Sequence, residues 1–171
     1  MNPSLLFDFS VNRENKTIHV KREFAAGLPL VWKAWTEAEI LDQWWGPEPW
    51  KAETKSMDFR EGGRWLYAMV GPEGERHWSV ADYISINREQ SFSANDGFCD
   101  EEGNINTNMP RSQWKNIFTS NGGNTTVEIT ITHEKLEDLE TLIQMGFKEG
   151  FTTGLEQLDR LLQTFSNAKD L

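Results

Sequence analysis

Phe7, Phe9 and Val11 alternate with polar neighbours, the alternation stops at the polar run Asn12 to Asn15, and it resumes at Ile18, Val20 and Phe24. A period of two on both sides of a polar break predicts two strands and a turn. The period then changes. In GLPLVWKAWTEAEILDQWW, the residues Leu28, Val31, Trp32, Trp35, Ile40, Leu41 and Trp44 recur at helical spacing, and Pro29 suits a first helical turn. One or two short helices follow, ended by Gly46, Pro47 and Pro49, because proline has no N–H to give a helix and restricts the residue before it. From Trp50 to Thr132 the connectors REGG, GPEG, NREQ and NGGN separate short aromatic and β-branched stretches: RWLYAMV, HWSVADYISI, SFSAND, QWKNIFT and TTVEITIT. They predict a meander of about six half-buried antiparallel strands, with Gly97 to Ser112 as a long loop.

The last segment, EDLETLIQMGFKEGFTTGLEQLDRLLQTF, keeps one face apolar from Leu139 to Phe165 and predicts one long amphipathic helix. Glu137, Asp138 and Glu140 complement the positive end of its dipole. Gly146, Gly150 and Gly154 fall four apart on one side, each at a cost of about 1 kcal/mol against alanine in a helix interior. Two explanations stand: close approach of the helix backbone to a neighbour, or room left for a ligand.

The element order predicts an α+β fold of the helix-grip kind. In it a curved antiparallel sheet of about six or seven strands wraps around the long C-terminal helix, with two short helices after the first strand. Such a sheet cannot press flat on one helix everywhere, so a hollow can remain, lined by alternate strand residues. Trp65, Tyr67 and Met69 share one strand face, as do Trp78, Val80, Asp82 and Ile84 on the next strand. Which face points inward is open from the sequence.

Composition narrows the classes. At 171 residues the chain fits one domain, 1–171, and the leading Met1 to Asn12, with Asp8 and no basic start, reads as part of the fold. No apolar run approaches the roughly 20 residues of a membrane span. The single Cys99 cannot form an internal disulfide, which fits a reducing cytoplasm. With 27 acidic against 17 basic residues, the charge of −10 opposes binding to nucleic acid or to anionic membranes.

The pieces TIHVKREF, LVWKAWTEAEILDQWWGP, MDFREGGRW, YAMVGPEGERHW and MGFKEGFTTGLEQLDRLL resemble the Hsp90 ATPase activator homologue family, within the START-like, Bet v 1-like superfamily. The resemblance covers about residues 17–165 and implies a hydrophobic cavity between sheet and helix, with the tryptophan-rich turn near its mouth. Superfamily members bind lipids, sterols, polyketides or hormones. Some catalyse cyclisation or hydrolysis, and the eukaryotic chaperone activators carry such a domain as one of two.

Catalytic and metal chemistry find no motif. His19, His77 and His133 are far apart, DGFCDEEGN lacks the spacing of a calcium loop, no G-x-S-x-G elbow is present, and REGGR is too short for a phosphate cradle. No metal, cofactor or catalytic residue is expected. What remains is aromatic: 8 tryptophans and 10 phenylalanines against 2 tyrosines. An indole suits a cavity rim, where an apolar face and a wet N–H can both be served. The expected ligand-binding residues are Trp44, Trp45, Trp65, Tyr67, Trp78, Trp114, Phe147, Gly150, Phe151 and Gly154. The segment WWGPEPW either seals the core or gates the cavity. The expected function is binding of a small hydrophobic molecule, lipid-like or aromatic, by a monomer or homodimer. The alternatives are a chaperone cofactor or other protein-interaction module, and an enzyme on a lipid or polyketide-like substrate. The enzyme would need a polar group in the hollow, from Asp58, Arg60, Asp82 or Glu149.

Overall fold

The computed structural model describes residues 5–169, with side chains through Phe165. Strands β1 (Phe7–Asn12) and β2 (Thr17–Phe24) form a hairpin, and helices α1 (Leu28–Thr36) and α2 (Ala38–Trp44) follow it. Six strands come next: β3 (Lys51–Met57), β4 (Arg64–Val70), β5 (Arg76–Asn87), β6 (Ser91–Cys99), β7 (Ser112–Asn121) and β8 (Asn124–His133). Helices α3 (Leu136–Gln144) and α4 (Phe147–Lys169) complete the chain. All eight strands make one antiparallel sheet in the order β1-β2-β8-β7-β6-β5-β4-β3. The N-terminal hairpin joins the meander by pairing β2 with β8, from Thr17↔Thr132 to Phe24↔Thr125.

Three expectations need correction. The sheet has eight strands, since KAETKSM adds an edge strand in which only Ala52 is buried. A polar edge strand carries no alternating apolar signal, and its lysines and glutamate suit an unpaired edge. The short helices follow the second strand, because β1 and β2 are a hairpin that precedes them. The single long helix is two. Met145 caps α3, and Gly146, at φ +88°, turns the chain into α4 in a left-handed conformation that costs glycine little. Of the leading segment read as part of the fold, residues 1–4 lie outside the described residues, while Phe7–Asn12 is β1.

The concave face of the sheet supplies Ile18, Val20, Phe24, Val127, Ile129 and Ile131 to a core shared with Leu155, Leu158 and Leu162 of α4. Those three buried leucines contribute about 6 kcal/mol in all, which outweighs the roughly 2 kcal/mol that Gly150 and Gly154 cost the helix. Tertiary burial, not propensity, holds α4.

Trp65 pairs with Ala81 and Tyr67 with Ser79, and both rings meet Trp45 at the end of α2, which settles the open question of faces. Trp65, Tyr67 and Met69 point to the concave side. Asp82 alternates to the convex side, where its carboxylate takes both Arg64 and Arg111. The irregular chain from Asp100 to Arg111 is tied to the sheet by Arg64 Nη1 to the Gly103 carbonyl at 2.7 Å and by Arg111 Nε to the Asp96 carbonyl at 2.8 Å, and beside the end of β6 it bridges Ile105 to Cys99.

Candidate functional site

The WWGPEPW segment uses its rings in different ways. Trp44 is only 1 % exposed, and its Nε1–H donates to the Ala34 carbonyl at 2.9 Å, which satisfies an indole that no water reaches. Trp45, at the C-cap of α2, turns into the interior as the hub of an aromatic cluster, with ring centroids 5.3–6.2 Å from Trp44, Trp65, Trp114, Phe151 and Trp35. Most of these pairs are edge-on, the arrangement that ring quadrupoles favour. Trp50 reaches the rim, 5.6 Å from the His77 ring. Gly46 is required by contact, because a Cβ there would fall 2.6 Å from the Lys51 backbone.

Gln157 of α4 fastens the segment. Its Nε2 donates to the carbonyls of Trp44 (3.0 Å) and Gly46 (2.8 Å), and its Oε1 accepts from the Glu48 N–H (2.8 Å). One buried amide thus satisfies three backbone groups that the end of α2 leaves without partners. Gly154 packs on the same segment, where a Cβ would lie 3.4 Å from the Trp44 carbonyl oxygen, an ordinary van der Waals contact.

Between this segment, strands β4 to β7 and the α3–α4 joint lies a hollow of about 820 Å³, partly open to solvent, which extends to Asn106 and Met109 of the β6–β7 connection. Its walls are mainly aromatic, from Trp35, Trp45, Trp65, Tyr67, Trp114, Phe147 and Phe151, and Leu142, Met145 and Gly146 edge it at the joint. The polar atoms of these rings are largely occupied. Trp45 Nε1 donates to Tyr67 Oη at 3.0 Å, Trp65 Nε1 to Thr54 Oγ1 at 2.9 Å, and Trp114 Nε1 to Asp96 Oδ2 at 2.8 Å. Burial pushes the Tyr67 phenol up to about 12 and raises Tyr83 as well, so both rings are neutral at physiological pH.

Asp96 is the carboxylate that reaches the hollow. Burial raises its pKa, opposed by the Ser112 hydroxyl and N–H, at 2.7 and 2.8 Å, and by the Trp114 indole. Those three donors fill Oδ1 and take one of the two lone pairs of Oδ2, holding β6 to β7. The polar candidates read from the sequence lie elsewhere: Asp58 pairs with Arg60 in an exposed turn, Asp82 is on the convex face, and Glu149 is exposed on α4. No group of three or more His, Cys, Asp or Glu side chains able to hold a metal occurs among the described residues.

Of the ten expected ligand-binding residues, eight border the hollow: Trp45, Trp65, Tyr67, Trp78, Trp114, Phe147, Gly150 and Phe151. Two do not. Trp44 is sealed in the core by its bond to Ala34, and Gly154 packs on the end of α2. Trp78 sits in the wall, but it pairs with Ala68 and Cys99 in the register of the convex face, where Lys55 Nζ stands 5.7 Å from its ring. Trp35, Asp96 and Asn116 also border the hollow and were not singled out by the sequence, since only the β6–β7 register and the α1 packing bring them there. Gln157, six residues from Phe151, the nearest aromatic residue on its helix, carries no signal in the sequence for the same reason.

A curved antiparallel sheet gripping a C-terminal helix, with an aromatic hollow beside the joint, is the architecture of the START-like, Bet v 1-like class. The chain belongs to the family described as Activator of Hsp90 ATPase homolog 1-like protein, which it matches over residues 25–163. Members are ligand-binding or Hsp90 ATPase activator-like proteins. A crystal structure of a Mycobacterium smegmatis protein is similar at 32 % identity, covering 92 % of this chain and 96 % of that one, with a TM-score of 0.84. An NMR structure of an Arthrobacter aurescens protein is similar at 27 % identity, with 92 % and 91 % covered and a TM-score of 0.87. A Staphylococcus epidermidis protein follows at 26 %, with 91 % and 94 % covered and a TM-score of 0.80. No curated protein matches. No helix among the described residues is long and apolar enough to cross a membrane.

Proposed function

We propose that this protein binds a small hydrophobic molecule, aromatic or lipid-like, in the hollow between the sheet and the α3–α4 joint. The observation that carries the reading is the hollow itself: about 820 Å³, in the range of small-molecule sites, and walled by rings whose own polar atoms are mostly satisfied within the protein. A hydrophobic passenger removes ring surface from water at about 25 cal/mol per Å² without breaking those hydrogen bonds. Ligand contacts are assigned to Trp45, Trp65, Tyr67, Trp114, Phe147, Gly150 and Phe151. Trp78 is left out because it stands in the convex register.

Gly150 tests the site. It borders the hollow, and a Cβ there would be 3.6 Å from Pro47 Cγ, an ordinary contact, so Gly150→Leu is expected to fold and to narrow the hollow. Titration with the neutral dye Nile red is expected to show saturable fluorescence enhancement for the wild type and affinity weaker by tenfold or more, about 1.4 kcal/mol, for Gly150→Leu. Unchanged affinity in a variant with an intact melting transition removes the site from this place.

A further inference from the structure

The hollow is bordered by an acid whose charge the protein leaves without a counter-ion. Asp96 pairs with Ala81 in the register of Trp65, hence on the concave face, and it is half-buried where it borders the hollow. Its three donors, the Ser112 N–H and hydroxyl and the Trp114 indole, are all neutral, and the second lone pair of Oδ2 is open. No lysine or arginine among the described residues forms an ion pair with it. Arg111 donates Nε–H to the Asp96 backbone carbonyl at 2.8 Å but gives Nη2 to Asp82 at 3.0 Å, on the convex face. Arg76, at the rim, is engaged by Glu53, with Nη1 and Oε1 3.0 Å apart. His133 is 2 % exposed, and burial holds its pKa below 6.5, so its ring is neutral at pH 7. Charges withdrawn from water are paired in native proteins, so this carboxylate calls for a cation.

The surroundings select an organic cation. One carboxylate among rings cannot coordinate a metal ion, and no group of three or more metal-ligating side chains occurs among the described residues. Rings, by contrast, attract an ammonium through their negative faces. Trp114, which holds Asp96, has its ring 5.8 Å from that of Trp45 and 5.6 Å from that of Phe151, so the carboxylate sits at the edge of an aromatic cluster. The net charge of −10 raises the concentration of cations at the open mouth. A ligand carboxylate would meet like charge, and a neutral molecule would leave Asp96 unbalanced. An ammonium loses its own water but gains a carboxylate that the fold has already desolvated.

We infer that the hollow takes a hydrophobic amine in its ammonium form, with Asp96 Oδ2 as the acceptor that anchors the ammonium beside Trp114. The inference rests on the reading of the hollow as a ligand site. Three probes of one ring system separate the two: 2-naphthylmethylamine, 2-naphthalenemethanol and 2-naphthoate, titrated calorimetrically into the full chain at neutral pH, where they are cation, neutral isostere and anion. Expected is the amine tighter than the alcohol by about tenfold, the scale of one charge-assisted hydrogen bond, with 2-naphthoate the weakest. Asp96→Asn keeps an oxygen for Ser112 and removes the charge, and is expected to abolish the preference for the amine while binding the alcohol within about twofold of the wild type. Amine and alcohol bound equally by the wild type, a preference for the alcohol or for 2-naphthoate, or a preference for the amine that survives in folded Asp96→Asn, overturns the inference and leaves the hydrophobic site standing. Failure of all three probes to bind overturns both. The wild-type series decides the matter even if Asp96→Asn does not fold.

Discussion

Gly146 and Gly150 stand four residues apart on what reads as one helix face, and the structure predicts opposite responses to the same substitution. At Gly150 the backbone is helical inside α4, and the atom nearest an added Cβ is Pro47 Cγ at 3.6 Å, an ordinary contact. Gly150→Ala therefore gains the helix propensity difference of about 1 kcal/mol, with no clash to oppose it. At Gly146 space is not the problem, because nothing lies within 4 Å of an added Cβ. The problem is φ +88°, where an L residue is strained by about 1–2 kcal/mol. The pair should thus differ by about 2–3 kcal/mol. For a chain of this length, each 1 kcal/mol moves the melting temperature by roughly 2–4 °C, so the two variants are expected to melt about 4–12 °C apart, Gly150→Ala above the wild type and Gly146→Ala below it. Urea unfolding with a common m-value gives the free energies directly. Two variants shifted in the same direction by similar amounts would mean that both glycines occupy one continuous helix and that the division between α3 and α4 is wrong.

Gln157→Leu removes the partner of the Trp44 and Gly46 carbonyls and the Glu48 N–H, and is expected to cost about 3 kcal/mol in urea unfolding, with a red shift of tryptophan emission as the segment loosens. Tyr67→Phe leaves the Trp45 indole N–H without its acceptor and should cost about 1–2 kcal/mol in the same assay. His133 is 2 % exposed with neither ring nitrogen bonded, and burial lowers its pKa from the 6.5 of the unfolded chain. The unfolded state then takes up the proton first, so the wild type should lose stability as pH falls below about 6.5 toward the lowered folded value. Melting curves of His133→Phe from about pH 7.5 to 5.5 should show a smaller loss, and an equal loss would exclude His133 as the source.

Where burial is one-sided, the alternation of side chains is readable, and β2, β7 and β8 have regular alternating burial. β3 escaped because an edge strand with one buried residue has no pattern to read. The α3–α4 break escaped because Gly146 continues both the spacing and the apolar stripe, and nothing in a run of residues distinguishes a glycine with positive φ from one in a helix. The site divides in the same way. That rings would line the hollow follows from their abundance, but the difference between Trp44 and Trp45, adjacent in sequence, is set by a carbonyl ten residues upstream in one case and a tyrosine on β4 in the other. Asn116 reads from the sequence as an ordinary polar residue of a strand. Only its placement between Phe118 and Trp114, facing α1 and α4 and not solvent, makes it conspicuous.

The central claim, that the hollow holds a small hydrophobic molecule, is tested most directly by native mass spectrometry of the protein as purified from cells, followed by organic extraction of whatever it carries. The account predicts a stoichiometric passenger that is lost on denaturation and absent from Gly150→Leu prepared in parallel. A bare chain that also fails to take up added Nile red would contradict it.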